Sequence, residues 1–339
     1  MLQITVVRGG IAVSDRERIF VINDSGGLMQ SLGGNGDGPG EYRVVAGLRQ
    51  ATDSTLVVYD ARSLRITAYD RNYRLQGTSQ ILPPPMYPLP RRYTNVIALS
   101  DSGLWLLNTS AFDSRQEVSL RAALFWYGSD ADAPVLLEEW PDLRMMSVGG
   151  RGLMNRDVFP RGMSISMNAG GDVAYGDGMV DCIHIRTAHN ADVRRVCRDR
   201  KPRRMTTAIR NEDFAEINNP DIRESIVADV GKQRTPENLP FFDELFLDDL
   251  GWVWARTLQD VDGRYHPLVL RSRPDLRPEW RAWDACSLIR KRCVAVELPR
   301  AFTPMAASED RVFGLLVGES GEELVGVGDL PAGFVSMRR

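Results

Sequence analysis

At 339 residues, with 43% hydrophobic and 26% charged residues, the chain has the composition of an ordinary globular protein, which excludes wholesale disorder. The net charge of −3 and the lack of any lysine-rich tract argue against a nucleic-acid-binding protein, although arginine carries nearly all of the positive charge. No apolar run reaches the length of about 18 residues that a transmembrane helix needs, so no membrane-spanning segment is predicted.

One structural unit recurs along the chain in five or six copies. Each copy has an apolar segment, a turn rich in aspartate and glycine, a strongly β-prone segment, and a pair of strands ending near proline or glycine. The copies cover residues 11–32, 44–82, 96–140, 164–198, 245–298 and 303–327. Four-stranded antiparallel units around an axis protect their edges by closing into a ring. The sequence therefore predicts an all-β, six-bladed β-propeller forming a single domain over residues 1–339, with an open β-sandwich as the alternative.

The first and last copies depart from this unit. Residues 11–13 and 19–22 predict two strands, but the turn at 23–27 leads directly to residues 28–32, so the first blade is predicted to be shortened. The last copy lacks an outer strand, and residues 2–7 are an apolar, β-prone segment outside any blade. We expect residues 2–7 to close the ring.

The four cysteines predict two disulfide bonds. Antiparallel pairing across a hairpin places Cys182 directly opposite Cys197, and Cys286 and Cys293 repeat this arrangement. Four buried free thiols are the alternative. Because disulfides form in oxidising compartments, the pairing predicts a periplasmic or extracellular protein. Residues 1–5 do not have the features of a signal peptide, so we expect the signal sequence of an exported form to precede this numbering.

A glycine-rich segment at residues 33–42 links the first copy to the second. It resembles a stretch, G-x-G-x-G-P-G-E-F/Y, in the six-bladed β-propeller family related to NHL repeats, an exported bacterial type. The matching residues are Gly34, Gly36, Gly38, Pro39, Gly40, Glu41 and Tyr42. The resemblance implies fold and compartment but no particular activity. The segment lacks the Gly-Lys-Ser/Thr of a phosphate-binding loop, so we interpret it as a turn-forming link.

Four connections are unusually long, at residues 83–94, 141–162, 199–240 and 257–279. In a propeller, the links from each outer strand to the next inner strand share one face with the loops that join second to third strands. Loops of this length in a compact protein are usually functional or mobile. Apolar spacing with Asn and Asp caps predicts a small helical insertion at about residues 205–235 of the third connection.

The mouth of the central channel on this face is the predicted binding site. The candidate ligand-binding residues are Glu41, Tyr42, Arg43, Arg92, Tyr93, Asn95, Arg161 and Asp243, with Phe241 and Phe242 as further aromatic groups. Arginine and aromatic side chains together are typical of binding surfaces. This composition favours a monomeric protein that binds a small molecule, glycan or peptide.

An enzyme is the alternative function. Other six-bladed propellers hold Ca²⁺ in their channel, which predicts by analogy a calcium- or other divalent-metal-dependent hydrolase of lactones, esters or phosphotriesters. Glu41, Asn95 and Asp243 are the candidate metal ligands, and His266 is the candidate base. The sequence contains no G-x-S-x-G and no H-E-x-x-H motif, so it predicts no other catalytic group.

Overall fold

The computed structural model describes most of the chain in segments. These are residues 3–51, 55–81, 93–100, 103–114, 117–128, 135–147, 153–155, 164–168, 171–187, 193–202, 204, 237–257, 280–287, 289–290, 292–299, 302–317 and 322–338. Between residues 93 and 155, only the backbone is described, apart from the side chains at 125–126 and 135–137. The predicted helical insertion at 205–235 and the candidate residues Arg92, Arg161 and His266 lie outside the described residues.

The described strands form antiparallel sheets in chain order, beginning with three in the first half of the chain. The first sheet contains β1 (Gln3–Val7), β2 (Gly10–Ser14), β3 (Arg18–Asn23) and β4 (Leu28–Gly33). The second contains β5 (Val45–Gln50), β6 (Leu56–Asp60), β7 (Arg65–Tyr69) and β8 (Leu75–Gln80). The third contains β9 (Tyr93–Ser100), β10 (Gly103–Ser114), β11 (Glu117–Gly128), β12 (Val135–Ser147) and β13 (Leu153–Asn155).

Three further sheets follow in the second half of the chain. The fourth contains β14 (Ser164–Met167), β15 (Val173–Gly176), β16 (Cys182–Arg186) and β17 (Val193–Cys197). The fifth contains β18 (Phe242–Leu247), β19 (Trp252–Thr257), β20 (Trp280–Ser287) and β21 (Arg292–Pro299). The last contains β22 (Phe302–Ala307), β23 (Arg311–Val317) and β24 (Glu323–Asp329), and the helix α1 (Ala332–Arg338) ends the described chain.

The prediction of an all-β antiparallel propeller is confirmed. The first strands of successive sheets lie side by side in the order β1, β5, β9, β14, β18, β22, and β22 returns to β1. A complete blade has four strands. Four of the described sheets have four strands and the third has five, whereas the last has three. The structure therefore contains five complete blades in its described part, rather than the six that were predicted.

The prediction of a shortened first blade is wrong. Residues 3–7 were expected to close the ring outside this blade, but they form its inner strand, with Ile4 opposite Val13 and Val6 opposite Ile11. A two-residue turn makes this hairpin possible, because Gly9 adopts a φ of +78° that an L side chain rarely tolerates. The last blade consequently receives no outer strand from residues 3–7.

In the first two blades, burial is greatest in the second strand and falls towards the outer strand. All five residues of β6 are buried, because neighbouring blades cover both faces of an inner region, and this explains its continuous apolar sequence. All six residues of β8, at the rim, are exposed. Apolar clusters fill the junctions between blades. The Ile4, Ile11 and Val13 side chains of the first blade pack with Ala306 and Phe313 of the last.

The helix α1 lies beside the fifth blade. Its Phe334 ring meets the indoles of Trp252 and Trp254 edge-on, at centroid distances of 5.0 and 5.2 Å. Phe334 is buried with these two residues in the cluster that joins the fifth and last blades. Within the described ranges, no helix is long and apolar enough to cross a membrane.

Candidate functional site

The two faces of the propeller differ in how their connections are built. We call the face that carries the outer-to-inner links and the loops between second and third strands the long-link face, and the opposite face the short-turn face. On the short-turn face, an Asn or Asp begins the turns at 23–27, 70–74, 168–172 and 248–252. Its side-chain oxygen accepts backbone N–H groups within the same turn. These turns satisfy their own polar groups.

The glycine-rich link on the long-link face is folded by its own hydrogen bonds. The Tyr42 N–H donates to the Gly34 carbonyl at 2.7 Å, and Gly33 and Gly40 have φ values of +88° and +76°. A Cβ at Gly36 would lie 1.9 Å from Glu41 Oε2, so any larger residue there would displace the Glu41 side chain. The guanidinium of Arg65 donates to the Glu41 carbonyl at 3.0 Å and fixes the link from the second blade. The link is therefore rigid, as the turn-forming interpretation requires.

Tyr42 lies in the core rather than at the channel mouth. It is 1% exposed, and its hydroxyl lies 2.7 Å from the Tyr69 hydroxyl. Burial, together with this hydrogen bond, raises the pKa of Tyr42 well above its usual value. The placement of Tyr42 favours a role in anchoring the link.

Glu41 is exposed and Arg43 is half-buried on the long-link face, and both make local contacts. Glu41 Oε2 accepts the Gly38 N–H at 2.8 Å. The Arg43 guanidinium donates to Asp37 at 3.2 and 2.7 Å and to Asn35 Oδ1 at 2.9 Å. The hydrogen bond from Arg43 lowers the pKa of Asp37. Arg43 still exposes 41% of its side chain, so a ligand can reach it.

Asp243 lies near the start of β18 and is paired within its own blade. Arg256 on β19 donates to both Asp243 carboxylate oxygens at 2.6 Å, and its third nitrogen lies 2.6 Å from Glu244 Oε2. The Ser164 hydroxyl donates to the Asp243 carbonyl at 2.8 Å, which ties the fourth blade to this group. The arrangement is a cluster of paired acidic and basic side chains near the start of an inner strand.

The described candidates do not fit a calcium site. Both Asp243 oxygens are engaged by a guanidinium, and a bound cation would compete with it. Glu41 precedes β5, which is three inner strands away from β18 in either direction around the ring. Among the described residues, no group of three His, Cys, Asp or Glu side chains is placed to hold a metal. For Tyr93 and Asn95 the structure gives the backbone position on β9 and no more.

A buried charge cluster joins the fourth and fifth blades on the same face. Arg198 contacts Asp181 and Asp284 at 2.6 Å each, and Arg200 contacts the same two carboxylates at 2.7 and 2.8 Å. The Arg198 guanidinium also lies over the Phe242 ring, at 6.0 Å from its centroid. Asp181 is only 5% exposed, so water screens these pairs weakly.

The sequence contained a signal for this cluster that our prediction missed. The structure confirms both disulfides, Cys182–Cys197 and Cys286–Cys293. Asp181 and Arg198 immediately flank the first of these pairs, so the register that opposes the cysteines opposes the two charged residues as well. Their backbones are joined by the Arg198 N–H, which donates to the Asp181 carbonyl at 2.9 Å.

The topology described above defines the class of this chain, an all-antiparallel β-propeller. No protein-family model matches the sequence, and no curated protein matches it either. The solved structures similar to it share very little sequence.

A member of the DUF4221 family from Bacteroides vulgatus has 7% identity and a TM-score of 0.47, over 97% of this chain and 92% of that one. A virginiamycin B lyase from Staphylococcus aureus has 8% identity and a TM-score of 0.41, over 97% and 94% of the two chains. A gluconolactonase from Xanthomonas campestris has 8% identity and a TM-score of 0.42, over 97% and 85%.

Proposed function

We propose that this protein is an extracytoplasmic propeller that binds a small molecule, glycan or peptide at the channel mouth on its long-link face. The proposal rests on one observation: charged side chains near the start of an inner strand hold each other in place by ion pairs. The clearest case is Arg256, which pairs with Asp243 and Glu244. Rigid polar groups lose little freedom when a ligand binds, which favours binding at this face. In the turns of the opposite face, the Asn and Asp side chains bind the backbone N–H groups of their own turn instead.

Two observations support the wider proposal of an exported, six-bladed, NHL-like protein in a single domain. The disulfides Cys182–Cys197 and Cys286–Cys293 favour an oxidising compartment. The three-stranded last sheet lies between the fifth and first blades in the ring, so counting it as an incomplete blade gives six. The rigid glycine-rich link is consistent with the resemblance to that family.

The proposal is tested by a ligand screen with matched variants on the two faces. Saturation-transfer NMR would probe the full chain with a panel of soluble oligosaccharides and short peptides. We expect Arg92→Ala and Tyr93→Ala to weaken binding of any positive probe about tenfold, since each removes an anchoring side chain. Arg74→Ala, an exposed arginine of the short-turn face, is the control and should have no effect.

The same screen separates binding from the calcium-dependent alternative. For a simple binding protein, 1 mM Ca²⁺ and excess chelator should give the same affinity. Loss of binding in chelator, or hydrolysis of a lactone probe that Asp243→Asn abolishes, would favour the metal-dependent enzyme. A probe whose binding responds to Arg74→Ala and not to Arg92→Ala would place its site on the short-turn face and contradict the proposal.

A further inference from the structure

Arg49 is a charged residue at a position where the other inner strands carry mostly apolar or small side chains. It is the second-to-last residue of β5, so it lies towards the short-turn end of the channel. Its neighbour Leu48 is 2% exposed in the apolar cluster between the first two blades. Adjacent residues on a strand point to opposite sides, so the Arg49 side chain leaves this cluster and is itself partly buried.

Arg49 has no hydrogen-bond partner among the residues that the structure describes. The charge that acts favourably on Arg49 is that of Asp249, in the turn after β18. That turn belongs to the blade across the ring, and Asp249 is exposed there. Burial lowers the pKa of Arg49, and Asp249 offsets only part of this effect.

Three other partly buried arginines of this protein contact acceptor groups of the protein. Arg65 donates to backbone carbonyls of the glycine-rich link, and Arg256 contacts Asp243 and Glu244. Arg198 contacts two carboxylates. Partial burial removes part of the water around the Arg49 guanidinium and no acceptor in the described part of the protein replaces it, so its N–H donors are available to a ligand that reaches the channel. A purely structural explanation for Arg49 would require partners of the kind that these three arginines have.

We propose that Arg49 forms a binding site for a small oxyanion, a carboxylate or a phosphate, that enters the channel from the short-turn face. The planar guanidinium matches such a group with two parallel N–H donors. The mouth beside it is fixed, since the Arg8 N–H donates to Gln50 Oε1 at 3.0 Å and joins the first blade to the end of β5. Asp249 opposes the anion from the rim and limits its affinity.

The site is independent of the long-link face, and it is tested with inorganic phosphate and acetate as probes. Isothermal titration calorimetry of the full chain at constant ionic strength would measure both affinities. We expect Arg49→Met to weaken phosphate binding at least about tenfold, because charge-assisted hydrogen bonds are lost. Arg49→Lys should retain part of the affinity. Asp249→Asn should strengthen binding about threefold by removing a repulsive charge at the rim.

Arg8→Met is the matched control, since it removes an exposed arginine at the same mouth whose backbone alone is hydrogen-bonded. It should leave phosphate binding unchanged. Thermal unfolding in phosphate-free buffer gives a second readout, in which Arg49→Met should raise Tm or leave it unchanged, because it removes an unpaired buried charge. Absence of binding by the wild type, equal losses in Arg8→Met and Arg49→Met, or a clear fall in the Tm of Arg49→Met would overturn the proposal.

Discussion

The junction between the first and second blades and the junction between the fourth and fifth blades lie on the same face but are stabilised by different chemistry. The first uses glycines, backbone hydrogen bonds and the neutral pair Tyr42 and Tyr69. The second uses buried ion pairs beside a disulfide, with Arg198 and Arg200 each held by two carboxylates. Both junctions guide the chain from an outer strand to the next inner strand.

The difference follows from the length of each link. Between β4 and β5 the chain is short enough for its own backbone to fix its path. The connection from β17 to β18 is far longer, so both of its ends need separate anchors. Arg200 leaves from β17 and lies over the ring of Phe241, which precedes β18, at 5.7 Å from its centroid. Charged side chains thus bring the two ends of a long link together, a task that glycine turns cannot perform.

The largest expected effect is at the charged junction. Asp181→Asn removes one of two carboxylates that hold Arg198 and Arg200, and leaves a buried positive charge poorly compensated. We expect the free energy of unfolding to fall by about 3 kcal/mol, measured by urea denaturation. Asp37→Asn is the matched control at the other junction, because the Asp37–Arg43 pair is exposed and should cost less than about 1 kcal/mol. Equal losses in the two variants would show that burial of the charges is unimportant.

A smaller effect is expected from the glycine junction. Gly33→Ala forces a side chain onto a φ of +88° and places its Cβ 2.8 Å from the Tyr42 ring. This should lower the free energy of unfolding by about 1–3 kcal/mol. Gly34→Ala is the control, since nothing lies within 4 Å of its Cβ, and it should have little effect. A stable Gly33→Ala protein would contradict the claim that backbone geometry fixes this link.

The smallest effect concerns the neutral tyrosine pair and appears at high pH. Burial raises the pKa of both Tyr42 and Tyr69, so the folded state holds these protons more tightly than the unfolded state does. Their stabilisation is complete below the unfolded pKa of about 10 and is lost as the pH rises above it.

We therefore expect the free energy of unfolding to fall as the pH rises above about 10, and to fall less in the double variant Tyr42→Phe/Tyr69→Phe. At neutral pH, Tyr42→Phe alone should cost about 1 kcal/mol for the lost hydrogen bond. An unchanged pH slope in the double variant would contradict this assignment.

The sequence predicted the fold well within hairpins, because the alternation of apolar and polar residues and the turn residues act locally there. The hairpin that opposes Cys182 and Cys197 follows from counting residues across a turn, and it was predicted correctly. The blade to which residues 3–7 belong was predicted wrongly. The two-residue turn at Gly9 gives a weak signal in the sequence, and strand order depends on contacts with distant blades. The buried state of Tyr42 was missed for the same reason, since its partner Tyr69 is 27 residues away.

The candidate site was harder to predict than the fold. Asp243 was correctly placed on an inner strand, but its pairing with Arg256 depends on the register of two strands. Arg49 was not singled out at all. A sequence shows the charge of such a residue but not whether neighbours compensate it, and that balance decides whether the residue binds a ligand or supports the structure.

The apolar cluster that contains Ile4 and Phe313 has a consequence for how the protein folds. It joins the first blade to the last, and these two residues lie about 300 residues apart in the chain, so forming the cluster requires a very large loop to close. Each intervening blade can form its own hairpins beforehand, because its strands are neighbours in sequence. Ring closure is therefore expected to be the last and slowest step. An open ring that exposes Ile4, Ile11 and Phe313 is the intermediate through which newly made chains would aggregate or recruit chaperones.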